Sequence, residues 1–398
     1  MRSAAPTLTT SALLALLLAG GAGCDRGSNS GRRVVATVQG LARGPFLAEP
    51  TLTSMVIAWS TELPGIGSVV WSQGGGPTTV VAGTAPATAH ALRIDGLAAD
   101  TLYDYTVAVD GTPLHLGATF RTLRDASSPD LRFAVFGDSG TGGSAQAEVA
   151  AQVAAFAPEL VLIAGDVVYP AGERSRFDPC FFRPYAGLID HIPFFPALGN
   201  HDIKTANGER YLEAFHLPHD NPEQSERYYT VTAADALFVV LDSNQGFAAG
   251  SAQATWLADV LTTSATWKFA VFHHPPFSSG KHGSDLQIRS DLEALFTANG
   301  VDVVFNGHDH AYERSFPVVD GVPVQADQEP DYTTPAGPIW IVTGGGGKEL
   351  YARASDNDFT ARFVSTYHFV AVEFSGPQLT LSAIDASGAT IDTLTIAK

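Results

Sequence analysis

Gly307-His308-Asp309-His310-Ala311-Tyr312-Glu313-Arg314, directly after the apolar run Val301-Asp302-Val303-Val304-Phe305-Asn306, is the stretch that decides how this chain folds. Two histidines one residue apart at the mouth of a buried strand suit metal ligation, because strand alternation splays them around one centre and the preceding glycine lets the backbone turn. Alone, the pair is as readily structural. Four more polar blocks stand in the same context. Asp138 closes Leu131-Arg132-Phe133-Ala134-Val135-Phe136-Gly137, and Gly165-Asp166-Val167-Val168-Tyr169 closes Leu160-Val161-Leu162-Ile163-Ala164. Gly199-Asn200-His201-Asp202 follows Phe194-Phe195-Pro196-Ala197-Leu198, and His273-His274-Pro275-Pro276 follows Lys268-Phe269-Ala270-Val271-Phe272. An open α/β sheet places its ligands at the carboxyl ends of strands, and every block here sits there.

The intervening segments agree. Ser144 is expected to cap a helix with Val149, Val153 and Phe156 on one face, and Ile288, Leu292, Leu295 and Phe296 mark a second helix. Strand, helix and strand then make two crossover units that deliver their ligands to one sheet edge. Asp242 ends a strand without a companion donor and reads as structural. Gly344 to Gly347 lack the Lys-Ser or Lys-Thr that opens the helix of a nucleotide loop, and read as a tight turn beside the site. His90, His115, His191, His216, His219 and His368 lie outside any motif.

Aspartates, an asparagine, a tyrosine and three histidines are mixed oxygen and nitrogen donors, suited to zinc, iron or manganese rather than calcium. Seven ligands are too many for one tetrahedral ion. They suit a pair of ions about 3.5–4 Å apart that activates water against phosphorus.

Asp138, Gly165-Asp166-x-x-Tyr169, Gly199-Asn200-His201-Asp202, His273-x-Pro275 and Gly307-His308-x-His310, in this order, resemble the calcineurin-like dinuclear metallophosphoesterases, and among them the purple acid phosphatases. Tyr169 makes the narrower match. The resemblance implies a four-layer α/β sandwich, two mixed sheets flanked by helices, in which Asp138, Asp166, Tyr169 and His310 hold a ferric ion. Asp166 would bridge to a second, divalent metal (zinc, iron or manganese) held also by Asn200, His273 and His308. His201 and His282 match the substrate-facing catalytic histidines; Lys281 stands where plant-type members often have another histidine. His274 and Arg314 are expected in the second shell or against substrate. The implied reaction is attack of metal-activated hydroxide on a phosphate monoester in acid. A phosphodiesterase or nucleotidase with the same metals is the alternative, and a non-catalytic exported binding protein is another.

The catalytic part is expected over 131–398, ending in antiparallel strands. Residues 34–123 carry short strand-like runs such as Ser54 to Trp59 and Tyr103 to Val109, and resemble a fibronectin type III module, an immunoglobulin-like β-sandwich, joined by a linker over 124–130. Residues 1–24 look like a bacterial lipoprotein signal with Cys24 as the lipidated residue, although Gly21 stands where leucine is preferred, and 25–33 read as a polar tether. An ordinary cleaved secretory peptide is the alternative; either way the expectation is export, to the periplasm or cell surface or beyond. Cys180 has only Cys24 as a possible partner and reads as a small buried hydrophobe. A net charge of −18 without any basic run argues against nucleic acid, and limits membrane contact to a lipid anchor. The expected partner is a phosphorylated small molecule.

Overall fold

The computed structural model describes residues 40–398. The expected signal segment, Cys24 and the tether lie outside the described residues. Among the described residues no helix is long and apolar enough to cross a membrane.

The apolar runs ahead of the polar blocks form strands in two separate mixed sheets. In the first, Phe194–Pro196, Leu160–Ile163 and Asp130–Phe136 run parallel, and His368–Ser375, Gln378–Asp385 and Thr390–Ala397 continue it antiparallel, with Asp331–Thr333 at the far edge. In the second, Ala236–Val240, Trp267–Val271, Val303–Asn306 and Ile339–Thr343 run parallel, flanked by Tyr229–Ala233 on one side and Tyr312–Val319 on the other. The ligand blocks therefore come from two sheets, and the expectation of one shared sheet edge is corrected. Strands buried on both faces read as continuous apolar runs, so the pattern carries no mark of which sheet each joins.

Aromatic side chains fill the space between the sheets. Phe133 meets Phe238 and Phe269 edge-on, with ring centroids 5.0 Å away in each case. Helix Ser144–Phe156 packs Val149 and Val153 on the outside of the first sheet, where Arg132 lies over the Phe156 ring. Helices Ala252–Val260 and Leu286–Ala298 cover the second with Trp256, Leu257, Ile288, Leu292 and Phe296. The result is the expected four layers. Ser144 is not the cap: the helix begins with it, and Gly143 is the N-cap with no side-chain bond. Gln146 Oε1 instead accepts from the Gly142 amide at 2.7 Å, turning the chain into the helix.

The N-terminal part is all-β. Leu41–Ala48, Ser54–Gly65 and Ala87–Asp95 form one antiparallel sheet, and Thr79–Ala82, Gly67–Gln73, Leu102–Val109 and Thr112–Arg121 form another. Alternation in the Ser54–Gly65 strand sends Met55, Ile57 and Trp59 into the sandwich core and Val56 and Ala58 into the core of the α/β part. Segment 124–130 is correspondingly not a free tether. Arg124 donates to Glu159 at 2.6 Å, and its carbonyl accepts from Ala234 at 2.8 Å.

Asp190 of the α/β part fastens this contact. Its buried carboxylate takes His115 Nε2 at 3.2 Å and His191 Nδ1 at 2.7 Å, and its carbonyl accepts from Tyr105 Oη at 2.6 Å. Burial alone would raise the Asp190 pKa, but the two histidines overcome it and bring it from 3.8 to about 2. A depressed carboxyl pKa stabilises the fold above the unfolded value and loses that contribution as pH falls through the folded one. Asp190→Asn is therefore expected to lose about 2 kcal/mol near neutral pH, and the gap to wild type should close between pH 3.8 and about 2. Denaturant unfolding at several pH values measures it.

Candidate metal centre

The three parallel strands of the first sheet end at Asp138, at Asp166 with Tyr169, and at Asn200 with His201; strands of the second end at His273 and at His308 with His310. Both carboxyl edges meet, and hydrogen bonds lock them together. Thr343 carbonyl accepts from the Gly137 amide at 2.8 Å, and Ala164 carbonyl accepts from His273 Nδ1 at 2.9 Å. Such an approach leaves no room for side chains at two glycines. A Cβ on Gly199 would lie 2.1 Å from Asp166 Oδ1, and one on Gly307 would lie 2.4 Å from the Ala164 carbonyl. Left-handed backbone falls instead on the donors themselves, with φ of 56° at Asp138, 53° at Asp166 and 71° at His308. Gly307 was expected to make the turn; it permits the close approach, and His308 turns. Non-glycine residues cost energy in this region and cluster at functional sites.

The donors fall into two groups. In one, Tyr169 Oη donates to Asp138 Oδ1 at 2.9 Å and lies 3.3 Å from His310 Nε2, which is 3.4 Å from Asp138 Oδ1. In the other, Asn200 Oδ1 lies 2.9 Å from His273 Nε2 and 3.0 Å from His308 Nδ1, and those nitrogens are 3.3 Å apart. Asp166 Oδ1 stands between the groups, 3.6 Å from His273 Nε2. His308 and His310 thus separate into different groups, as alternate residues of one short segment.

The charges and tautomers fit a pair of cations. A carbonyl can only accept, so His273 Nδ1, on Ala164, and His310 Nδ1, 2.6 Å from the Glu349 carbonyl, both carry hydrogen and turn a bare Nε2 into the site. Burial, reinforced by neighbouring histidines, holds His273 and His308 well below the usual imidazole pKa, so neither balances the acids by protonation. Burial raises Asp138 to about 6 against the pull of His310, and burial with the charges of Asp138 and Asp166 keeps the Tyr169 phenol protonated. For His310, burial pulls down, but the bond to Asp138 prevails and the net shift is upward. Facing lone pairs, and buried carboxylates that receive hydrogen bonds but no compensating positive charge, are what metal ions relieve.

His201 and His282 stand at the mouth. The His201 ring lies 4.5 Å from the Tyr169 ring, with Nδ1 2.5 Å from the Pro170 carbonyl. The His282 ring lies 4.2 Å from the His308 ring. His274 is held by Ser243 Oγ at 2.9 Å and completes a cluster with His273 and His308 whose ligand atoms lie within 4.8 Å of one another. Arg314 is the exception. Its guanidinium is fully buried, 2.6 Å from Asp392 and 2.7 Å from Glu329, so the expected contact with substrate is corrected to an internal ion pair. Its place after the His-x-His motif is shared by sequence only; strand Tyr312–Val319 points it into the fold.

Several residues that position the site carried little signal. Asp202 only closes the Gly199-Asn200-His201-Asp202 block in the sequence, yet its carboxylate accepts from Val167, Val168 and Gly199 amides at 3.1, 3.0 and 2.9 Å, tying the Asp166 and Asn200 loops together. Asp309, between the two histidines, accepts from Ser278 Oγ at 2.6 Å and the His282 amide at 2.8 Å, which sets the His282 loop. Tyr351 stacks on His310 with centroids 4.1 Å apart. Only the clustering of Asp309 within the motif could have been noticed beforehand.

Asp202→Asn exchanges an acceptor for an amide donor against three N–H groups. Outer-shell losses of this kind weaken metal binding about 10- to 100-fold, and the variant should lose metal at correspondingly lower chelator concentration, read as metal content after dialysis against a chelator series.

Residues 131–312 match the family described as calcineurin-like phosphoesterase. An uncharacterised protein of Mycobacterium tuberculosis is 27% identical over 358 residues, covering 74% of this chain and 67% of that protein. Purple acid phosphatase 15 of Arabidopsis thaliana is 30% identical over 298 residues, covering 65% of this chain and 53% of its own length. This chain thus spans about two thirds of the first relative and about half of the second. The structure of a purple acid phosphatase from yellow lupin (Lupinus luteus) seeds superposes with a TM-score of 0.81 at 19% identity, over 89% of this chain and 74% of that one, a likeness of fold. Family match, relatives and fold agree with the converging donors: residues 131–312 form a calcineurin-like phosphoesterase domain, and the similarity to purple acid phosphatases supports a phosphoric ester hydrolase.

Proposed function

We propose that the protein is an exported acid phosphatase that hydrolyses phosphate monoesters at a ferric ion paired with a divalent zinc, iron or manganese. The observation that carries this reading is the division of seven donors into two groups with Asp166 between them. Asp138, Tyr169 and His310 would hold the ferric ion, Asn200, His273 and His308 the divalent one, and Asp166 both. Tyr169 favours iron, since its buried phenol gives up a proton only to a strongly charged cation. Together the cations would supply Lewis acidity toward the attacking water and the phosphoryl oxygens.

The chain's own residues then handle the leaving group. His201 Nδ1 carries hydrogen to the Pro170 carbonyl, which leaves Nε2 as the atom that can pass a proton to the departing oxygen. The His282 ring lies beside that of His308, and burial holds its pKa below the usual imidazole value, so acid conditions are needed to charge it. The seven-stranded antiparallel region before the α/β part supports a fibronectin type III-like domain over 34–123 with the catalytic domain over 131–398. Cys24 as a lipidation site at the cell envelope belongs to the same reading.

Metal content and the visible spectrum test the centre. Two metals and a phenolate-to-iron band that disappears in Tyr169→Phe are expected; two metals without the band would replace iron by divalent ions only. His201→Ala and His282→Ala should each lower kcat about 10²- to 10⁴-fold on alkyl phosphates, and much less on p-nitrophenyl phosphate, whose phenolate departs without a proton. Equal losses on both would remove the acid role. Faster turnover of a phosphodiester than of either monoester would overturn the substrate class.

A further inference from the structure

The chain has five lysines, at 204, 268, 281, 348 and 398, within a net charge of −18. Three of them stand on three different loops at the site's edge. Lys204 follows the Asn200 block, and its Nζ lies 3.0 Å from His201 Nε2. Lys281 precedes His282, with Nζ 4.3 Å from the centre of the Tyr351 ring that stacks on His310. Lys348 closes the glycine run, with Nζ 5.3 Å from the Tyr169 ring. Each is one aromatic ring away from a candidate ligand or is in contact with a catalytic histidine. The remaining two, Lys268 and Lys398, lie at the start of strand Trp267–Val271 and at Asp302, the opposite edge of the sheet.

Placement and pairing separate the groups. Lys398 is ion-paired to Asp302, and Lys268 Nζ is spent on the Leu261 and Asn299 carbonyls. Among the described residues, Lys204, Lys281 and Lys348 have no carboxylate within ion-pair distance. In an acidic protein, unpaired ammonium groups gathered on the rim of a cation-binding cleft leave charge available for an incoming anion. The metal pair already accounts for one phosphoryl group, so these three exceed what a simple monoester needs.

Resting on the phosphatase reading above, we propose that Lys204, Lys281 and Lys348 form a collar that selects small substrates bearing at least one further phosphate beside the one removed. The scissile phosphate enters between the two donor groups, and the second phosphate meets the lysines at the rim. Charged hydrogen bonds to phosphate supply the preference, and it falls with ionic strength.

The test compares fructose 1,6-bisphosphate with fructose 6-phosphate on the metal-loaded protein, together with calorimetric titration of tripolyphosphate and orthophosphate. Wild type should favour the bisphosphate. In the Lys204→Gln, Lys281→Gln, Lys348→Gln triple variant, the ratio of the two kcat/KM values should fall by on the order of tenfold, and tripolyphosphate should weaken more than orthophosphate. The triple Lys→Arg variant should keep both preferences, and circular dichroism with the three single variants guards against misfolding. No preference in wild type, or a ratio unmoved by the triple variant, overturns the collar. Tighter tripolyphosphate binding to wild type than to the triple glutamine variant, without hydrolysis of either sugar phosphate, would sink the phosphatase reading and leave anion selection by these lysines standing.

Discussion

The rest of the structure depends on a concentration of acceptors where two sheets meet. Asp138 and Asp166 are buried together with the Tyr169 phenol, and the bare nitrogens of His273 and His310 point at them. Removing such groups from water costs several kcal/mol for each charge unless something positive replaces the solvent. The protein itself supplies little that is positive inside. Burial raises Asp138 to about 6, the contact with Asp138 shifts His310 upward, and burial holds His273 and His308 well below the usual imidazole value. An arrangement that is poor for stability in the absence of metal is good for holding two cations.

Holding those groups in place accounts for several features that would be faults elsewhere. Three donors carry left-handed backbone, which persists only when the surroundings leave no alternative. Two sheets provide that constraint through bonds between their edges, and Asp202 ties two of the loops by three amide bonds. Gly199 and Gly307 let backbone pass against Asp166 and Ala164 where any side chain would collide. Rigidity is thus concentrated in the strand ends, while His201 and His282 stand toward the solvent side of the donors.

The sequence made the donors legible because chemistry confines them: Asp138, Asp166, Tyr169, Asn200, His273, His308 and His310 each follow an apolar strand by a few residues. Strand existence was equally readable. Sheet membership was not, since Leu160–Ile163 and Val303–Asn306 are both short, apolar and wholly buried although they join different sheets. Arg314 failed for a related reason. Proximity in sequence to His310 says nothing about which side of a strand faces the cleft, and Asp392, its partner, lies 78 residues away. Asp202 and Asp309 act through backbone amides, and amides leave no trace in the sequence.

The N-terminal sandwich bears on the site indirectly, through packing and hydrogen bonds. Phe46 lies against Phe182 with ring centroids 5.0 Å apart, and Arg43 bonds Asp178 at 2.7 Å, so the sandwich presses on the segment from Asp178 to Phe182. That segment offers the Cys180 carbonyl to Gln146 Nε2 at 2.7 Å, and the same Gln146 side chain holds the Gly142 amide. Gly142 belongs to the loop that leaves Asp138. A continuous set of contacts therefore runs from the sandwich to the first metal-site loop without any sandwich residue among the donors. Because Val56 and Ala58 bury their face of the strand in the α/β core, removing the sandwich would expose that core as well as free the loop. The β region is thus part of the scaffold that positions Asp138, whatever else its outer surface does.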